Sequence, residues 1–249
     1  MTKRKLFIIT APVFILMILF FIYWFYFSKP TGFLSDEQLV KQINETLPQA
    51  EVDRIQDTIQ LDREHVFVPF ISKSEKYGVS YWEWGNRKWK PIRIDTNGEP
   101  LMWKIDAEKP STFHILWNFN PKDGLSSLKY YIIRNRNYQI SGGNHKYTPR
   151  VQIEQEIPIG EDSFGVFALP DDWQSFYKDT AKLAIPNRQG LNLFNHMDLN
   201  HLIYFGWTSY NESDEETFPK NSLDGHGHGF SSGATTDFVR WIHESDLEK

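Results

Sequence analysis

Apolar residues recur along this chain with three different periods, and each period predicts a different kind of element. Residues 6–27 form a run of 22 positions without a charge. As a helix rising about 1.5 Å per residue they would reach roughly 33 Å, enough to cross a bilayer core of about 30 Å. Lys3, Arg4 and Lys5 precede the run and only Lys29 follows closely, so the positive-inside bias predicts a cytoplasmic stretch over residues 1–5 and an extracytoplasmic remainder. Tyr23, Trp24 and Tyr26 close the run, at the level where amphipathic rings settle among headgroups. A cleaved signal peptide has a shorter apolar core of about 7–15 residues ending at small residues. Here no alanine lies between Ala11 and Ala50, and the end of the run is aromatic. The expectation is therefore an uncleaved signal anchor.

A linker over residues 28–34 leads to Ser35, followed three positions later by Gln38, which is a capping-box pair. Leu39, Ile43 and Leu47 recur every four residues, so an amphipathic helix is expected over residues 36–47. Its polar face is mixed and partly acidic, which suits packing on a domain better than lying on lipid.

From about residue 52 to 169 the period shortens to two. Phe113, Ile115, Trp117 and Phe119 share one face against His114, Asn118 and Asn120, and Val151, Ile153, Ile157 and Ile159 oppose Gln152, Glu154 and Glu156. Further runs cover 65–71, 79–84, 88–95, 101–105, 128–133 and 164–168, separated by turn formers such as Gly85-Asn86, Pro121-Lys122-Asp123-Gly124 and Ser141-Gly142-Gly143-Asn144. Asn97-Gly98 is the strongest hairpin signal among them. Helical spacing returns behind Asp171 and Asp172, with Trp173, Phe176, Tyr177 and Ala184 on one side before Pro186. A short helix over 189–197, strands over 202–207 and 238–242, and a long polar loop over 211–236 complete the pattern. The fold class expected is α+β, mainly antiparallel β, a sandwich or open barrel with two or three peripheral helices, preceded by one transmembrane helix. Residues 35–249 would form a single extracytoplasmic domain.

Composition sharpens this picture in two places. Three of the 27 basic residues lie before the apolar run, so 24 face 32 acidic ones in the rest, a net charge of −8. That balance argues against nucleic acid and other anionic polymers as partners. The chain contains no cysteine, which excludes a thiol nucleophile and a disulfide scaffold and, for an extracytoplasmic domain, fits a bacterial plasma membrane facing outward.

Two constellations are candidates for chemistry. Asp224-Gly225-His226-Gly227-His228-Gly229, with His196, Asp198 and His201, collects imidazoles and carboxylates of the kind that hold zinc or another divalent metal, although the spacing matches no established site. A polar surface loop accounts for the same residues, and no cofactor is predicted. The second is the aromatic stretch 81–89 with Trp103; Trp82 and Trp84 fall on one strand face, and with Trp103 they would form either a ligand platform or the core of a sheet. Arg87, Lys88, Lys90 and Arg93 read as solvated strand edges. No Gly-x-Ser-x-Gly elbow, phosphate loop, dinucleotide fingerprint or Ser-x-x-Lys motif occurs. The leading expectation is a membrane-anchored, non-catalytic domain binding a protein, peptide or envelope component. The alternative is a hydrolytic or metal-dependent enzyme using the late His/Asp set.

Overall fold

The computed structural model describes residues 13–20, 23, 29–30, 32–160, 162–184 and 203–248. Most of the expected span over 6–27 lies outside these residues, as do the short helix expected over 189–197 and His196, Asp198 and His201. Residues 13–20 are helical, and their eight apolar side chains are all exposed, by 43% to 65%. Among the described residues no helix is long and apolar enough to cross a membrane.

In chain order, α1 (Asp36–Thr46) is followed by β1 (Val52–Ile55), β2 (Ile59–Gln60), β3 (His65–Ser72), β4 (Tyr77–Gly85), β5 (Lys88–Asp95), β6 (Leu101–Lys104), β7 (Phe113–Asn118) and β8 (Leu125–Arg134). The hairpin β9 (Asn137–Ser141) and β10 (Asn144–Thr148) leads to β11 (Val151–Pro158), β12 (Phe164–Ala168) and α2 (Asp171–Ala184). The described chain resumes with β13 (Ile203–Asn211), β14 (Gly229–Ser231) and β15 (Thr236–Trp241). Sheet one has the order β1-β3-β4-β5-β14, with β2 also pairing β3; sheet two is a curled half-barrel of order β11-β8-β13-β15-β6-β7-β12. This is the expected mainly antiparallel α+β architecture, with one departure. β13 and β15 pair in parallel, because the chain between them leaves sheet two, adds β14 to the edge of sheet one and returns.

The capping box forms as the sequence implies: the Ser35 backbone N–H donates to Gln38 Oε1 at 3.0 Å and the Gln38 N–H to Ser35 Oγ. Leu39, Ile43 and Leu47 then bury against Val66, Val68, Phe70, Trp82 and Ile94 on one face of sheet one. At roughly 2 kcal/mol for each buried aliphatic side chain this face holds α1 firmly. The side-chain amide of Asn44 copies a strand, accepting from Val52 N–H at 2.8 Å and donating to Val52 C=O at 3.1 Å. The other face of sheet one, through Phe67, Val79 and Tyr81, packs on Leu101, Trp103 and Leu116 of sheet two. The centre of sheet one is thus covered on both sides, which is why seven of the eight β3 residues are buried where simple alternation would bury half. The inner face of sheet two closes on Trp173 and Tyr177 of α2. Lys104, itself buried, pairs with Asp237, donates to Tyr177 Oη at 3.3 Å and lies 5.3 Å from the Phe113 ring centre.

A polar hub joins the sheets. Asn118 is fully buried, and its amide nitrogen lies within hydrogen-bonding distance of Phe70 C=O at 3.2 Å, Gly78 C=O at 2.8 Å and Gln56 Oε1 at 2.7 Å. Its oxygen accepts from Ser163 Oγ at 2.9 Å, and that hydroxyl accepts from Gln56 Nε2 at 2.7 Å. Asn97-Gly98 proves not to be a hairpin turn. β5 and β6 belong to different sheets, and the dipeptide carries the chain across the hub, with Asn118 N–H donating to Gly98 C=O at 2.9 Å. Glycine is required there by close approach, since a Cβ on Gly98 would sit 1.7 Å from Asn118 O. Elsewhere burial leaves polar atoms unmet. Tyr130 Oη, Trp117 Nε1 and Trp207 Nε1 in the half-barrel core, and Tyr81 Oη between the sheets, have no hydrogen-bond partner among the described residues.

Two substitutions at the hub test its role by urea unfolding. Asn118→Ala strands the Phe70 and Gly78 carbonyls and is expected to cost roughly 3–5 kcal/mol. Gly98→Ala must displace backbone and is expected to cost at least about 3 kcal/mol, whereas Gly160→Ala, in open space, stays within about 1 kcal/mol.

Candidate functional site

The β4–β5 hairpin turns through Asn86 and Arg87 with φ of 52° and 62°. Positive φ at both central residues is the type I′ turn that matches strand twist and favours Asn-Gly. Here arginine occupies the position where glycine is free of strain, at a cost of about 1 kcal/mol. Just inside the turn, Trp84 and Trp89 face each other across the strands with ring centres 5.5 Å apart. Phe33, from the linker, sets its ring edge-on to Trp89 at 4.9 Å and to Trp82 at 6.0 Å. The chain therefore enters the domain directly beside the hairpin.

Between the hairpin and the last turn of α1 lies an open groove of about 500 Å³. Gly32, Leu34, Gln42, Glu45 and Thr46 form one wall, Arg87, Lys88, Lys90 and Pro91 the other, and Trp84 and Trp89 the floor. The two indoles are largely buried, with 8% and 5% of their surface exposed. Arg87 and Lys88 are exposed, Lys90 pairs with Glu83 at 3.4 Å, and Glu45 with Lys41 at 3.8 Å. A largely buried aromatic floor beneath a mainly cationic rim suits a ligand that carries an anionic group.

Of the three tryptophans singled out from sequence, only Trp84 reaches this groove. Trp82 is fully buried beneath α1 and donates through Nε1 to Ser80 Oγ at 2.9 Å. Trp103 is buried between the sheets, stacked on Tyr81 at 5.0 Å with the edge of His65 at 5.3 Å. Alternation places Trp82 and Trp84 on one face, as expected, but α1 covers that face except at the hairpin end. Trp89, Arg87 and Lys88 complete the site instead, and the signal for them was an Asn-Arg pair where a hairpin ordinarily takes Asn-Gly.

His226 and His228 lie at the opposite end of β5. His228 N–H donates to Thr96 Oγ1 at 2.8 Å and its carbonyl accepts from Thr96 N–H at 3.0 Å, while His226 C=O accepts from Lys76 Nζ at 2.7 Å. His228, Lys76, Ser72, Ser74 and Thr96 line a smaller cavity of about 190 Å³. Among the described residues no three His, Asp or Glu side chains come together as metal ligands would. Asp224 is held below the ordinary carboxylate range by the His226 N–H and by Lys76. Nearby, burial raises Asp95 despite the Asn97 N–H and Arg93, and burial with the Asp95 charge raises Glu99. No protein-family model, curated protein or solved structure matches the chain.

Two measurements follow. Arg87→Gly relieves the left-handed backbone and is expected to raise stability by about 1 kcal/mol in urea unfolding. Asp95 and Glu99 bind protons more tightly folded than unfolded, so their contribution is full below the unfolded carboxylate range, about pH 4, and is lost as pH rises through the raised folded values. The stability of Asp95→Asn/Glu99→Gln relative to the parent is therefore expected to increase from about pH 4 to 7, the reverse of the slope a carboxylate with a depressed pKa produces.

Proposed function

We propose that the chain is a membrane-anchored binding domain of a bacterial cell surface, its N-terminus cytoplasmic and its β-rich domain outside, and that it engages its ligand in the groove beside the anchor without performing chemistry. The observation that carries this reading is the groove itself: a concave, half-open site of about 500 Å³ with an aromatic floor and a cationic rim. Its walls are rigid, because Trp84, Trp89, Leu39 and Ile43 belong to one packed cluster. The eight consecutive exposed apolar side chains of residues 13–20 support the anchor, since so large an apolar surface is costly in water and favourable in lipid. The absence of cysteine supports the outer compartment.

A chain without cysteine makes topology directly testable. In intact cells, Ser213→Cys is expected to react with an impermeant maleimide and Thr2→Cys only after permeabilisation; the opposite pattern overturns the orientation. A photo-crosslinking residue at Thr46 is expected to give one discrete adduct, against none from the same residue at Ser213. Equal yields from both would sink the groove as the site. Stoichiometric zinc in the purified chain would replace this reading with a metal site at His196, Asp198, His201, His226 and His228.

A further inference from the structure

We infer that the β4–β5 hairpin docks on the phosphate layer of the bilayer that holds the anchor, with Arg87 and Lys88 taking anionic lipid headgroups above the buried indoles of Trp84 and Trp89. This rests on the membrane-anchored reading and names the partner of the groove. The expected span ends at residue 27, and Phe33 is locked by its ring contacts to Trp82 and Trp89. Five residues, 28–32, lie between the two points, and the six steps of chain reach only about 20 Å even fully extended. The hairpin is therefore confined close to the headgroup layer.

Charge selects which way the domain turns within that tether. The outer part carries −8 overall, from 24 basic and 32 acidic residues, so an anionic surface repels it in most orientations. At the hairpin the local sign reverses: Arg87 and Lys88 are exposed, and Lys29 is exposed in the linker. Each cation near an anionic bilayer is worth about fivefold in association, and the attraction fades beyond a Debye length of about 8 Å. Arg87 reaches the tip in a backbone conformation that arginine disfavours, at φ 62°, so the position gives up local stability to present a cation.

The experiment uses the full chain with Asn86→Cys as its single thiol, labelled with a fluorophore and reconstituted in vesicles of phosphatidylcholine, with or without phosphatidylglycerol, that carry a headgroup-attached nitroxide quencher. Quenching is expected with phosphatidylglycerol and is expected to fall when salt is raised from about 0.1 M to 1 M, which shortens the Debye length from about 10 Å to 3 Å. Arg87→Gln/Lys88→Gln should lower the docked-to-free ratio about 25-fold, two factors of about five. A label at Ser213→Cys should stay unquenched throughout. Equal quenching in both lipids, or no loss in the double variant, overturns headgroup docking. Release by inorganic phosphate at matched ionic strength also overturns it, in favour of a soluble-phosphate site. Vesicle flotation separates the two readings: a chain that fails to float with either lipid overturns the anchor, whereas one that floats with both and shows no dependence on phosphatidylglycerol overturns docking alone.

Discussion

A single carboxamide holds the two sheets in register. Asn118 on β7 satisfies carbonyls of β3 and β4, reaches Gln56 beyond β1 and accepts from Ser163 ahead of β12, so a shift of either sheet would leave several buried polar groups unmet. Such an alternative is costly because each unmet group loses roughly 1–3 kcal/mol. Everything peripheral takes its position from this junction. Sheet one is fixed relative to sheet two, α1 is fixed on the outer face of sheet one, and the gap between α1 and the hairpin is the groove. Apolar packing alone would tolerate sliding; the hub supplies the direction that dispersion lacks.

The half-barrel is built on the opposite terms. Its interior is filled by aromatic rings, including Tyr130 stacked on Phe167 at 5.3 Å and Trp173 against Phe205 at 6.3 Å. Tyr130, Trp117 and Trp207 bring into that interior donors that find no partner among the described residues, a cost offset by the large apolar area these rings bury. α2 closes this space with Trp173 and Tyr177, steadied by the Lys104–Asp237 pair. One half of the domain is thus specified by hydrogen bonds and the other chiefly by volume.

The sequence reveals those features that depend on near neighbours. The Ser35–Gln38 box, the four-residue spacing of α1 and the two-residue alternation of β5 and β12 are all local, and each element appears with its expected limits or within a residue or two. What was hidden depends on contacts between distant segments. Asn97-Gly98 has the chemistry of a hairpin turn, but the hub, formed with residues from 56 to 163, makes it a crossing between sheets. Trp82 and Trp84 share a face, and only the docking of α1 decides that one is core and the other groove floor. β1, β2 and β14 are too short to show a period, and the parallel β13–β15 pair cannot be read from either strand. In the candidate site, Arg87 reads from sequence as a solvated strand edge beside a Gly85-Asn86 turn; that it occupies the turn itself, next to Trp89 and Phe33, required the fold.

Strand β14 gives the fold an order in time. Residues 229–231 form the outer edge of sheet one, yet they are synthesised long after β1 to β5, which they complete. A nascent chain that has released β5 therefore carries an open strand edge for the whole interval in which β6 to β13 are made, and open edges recruit other chains. The residues along β5 answer this hazard: Lys88, Lys90, Pro91, Arg93 and Asp95 interrupt the apolar positions, so the waiting edge is charged and carries one position unable to donate. β14 pairs only with Arg93 to Asp95, so the groove cations Lys88 and Lys90 keep the rest of this edge charged in the finished domain as well.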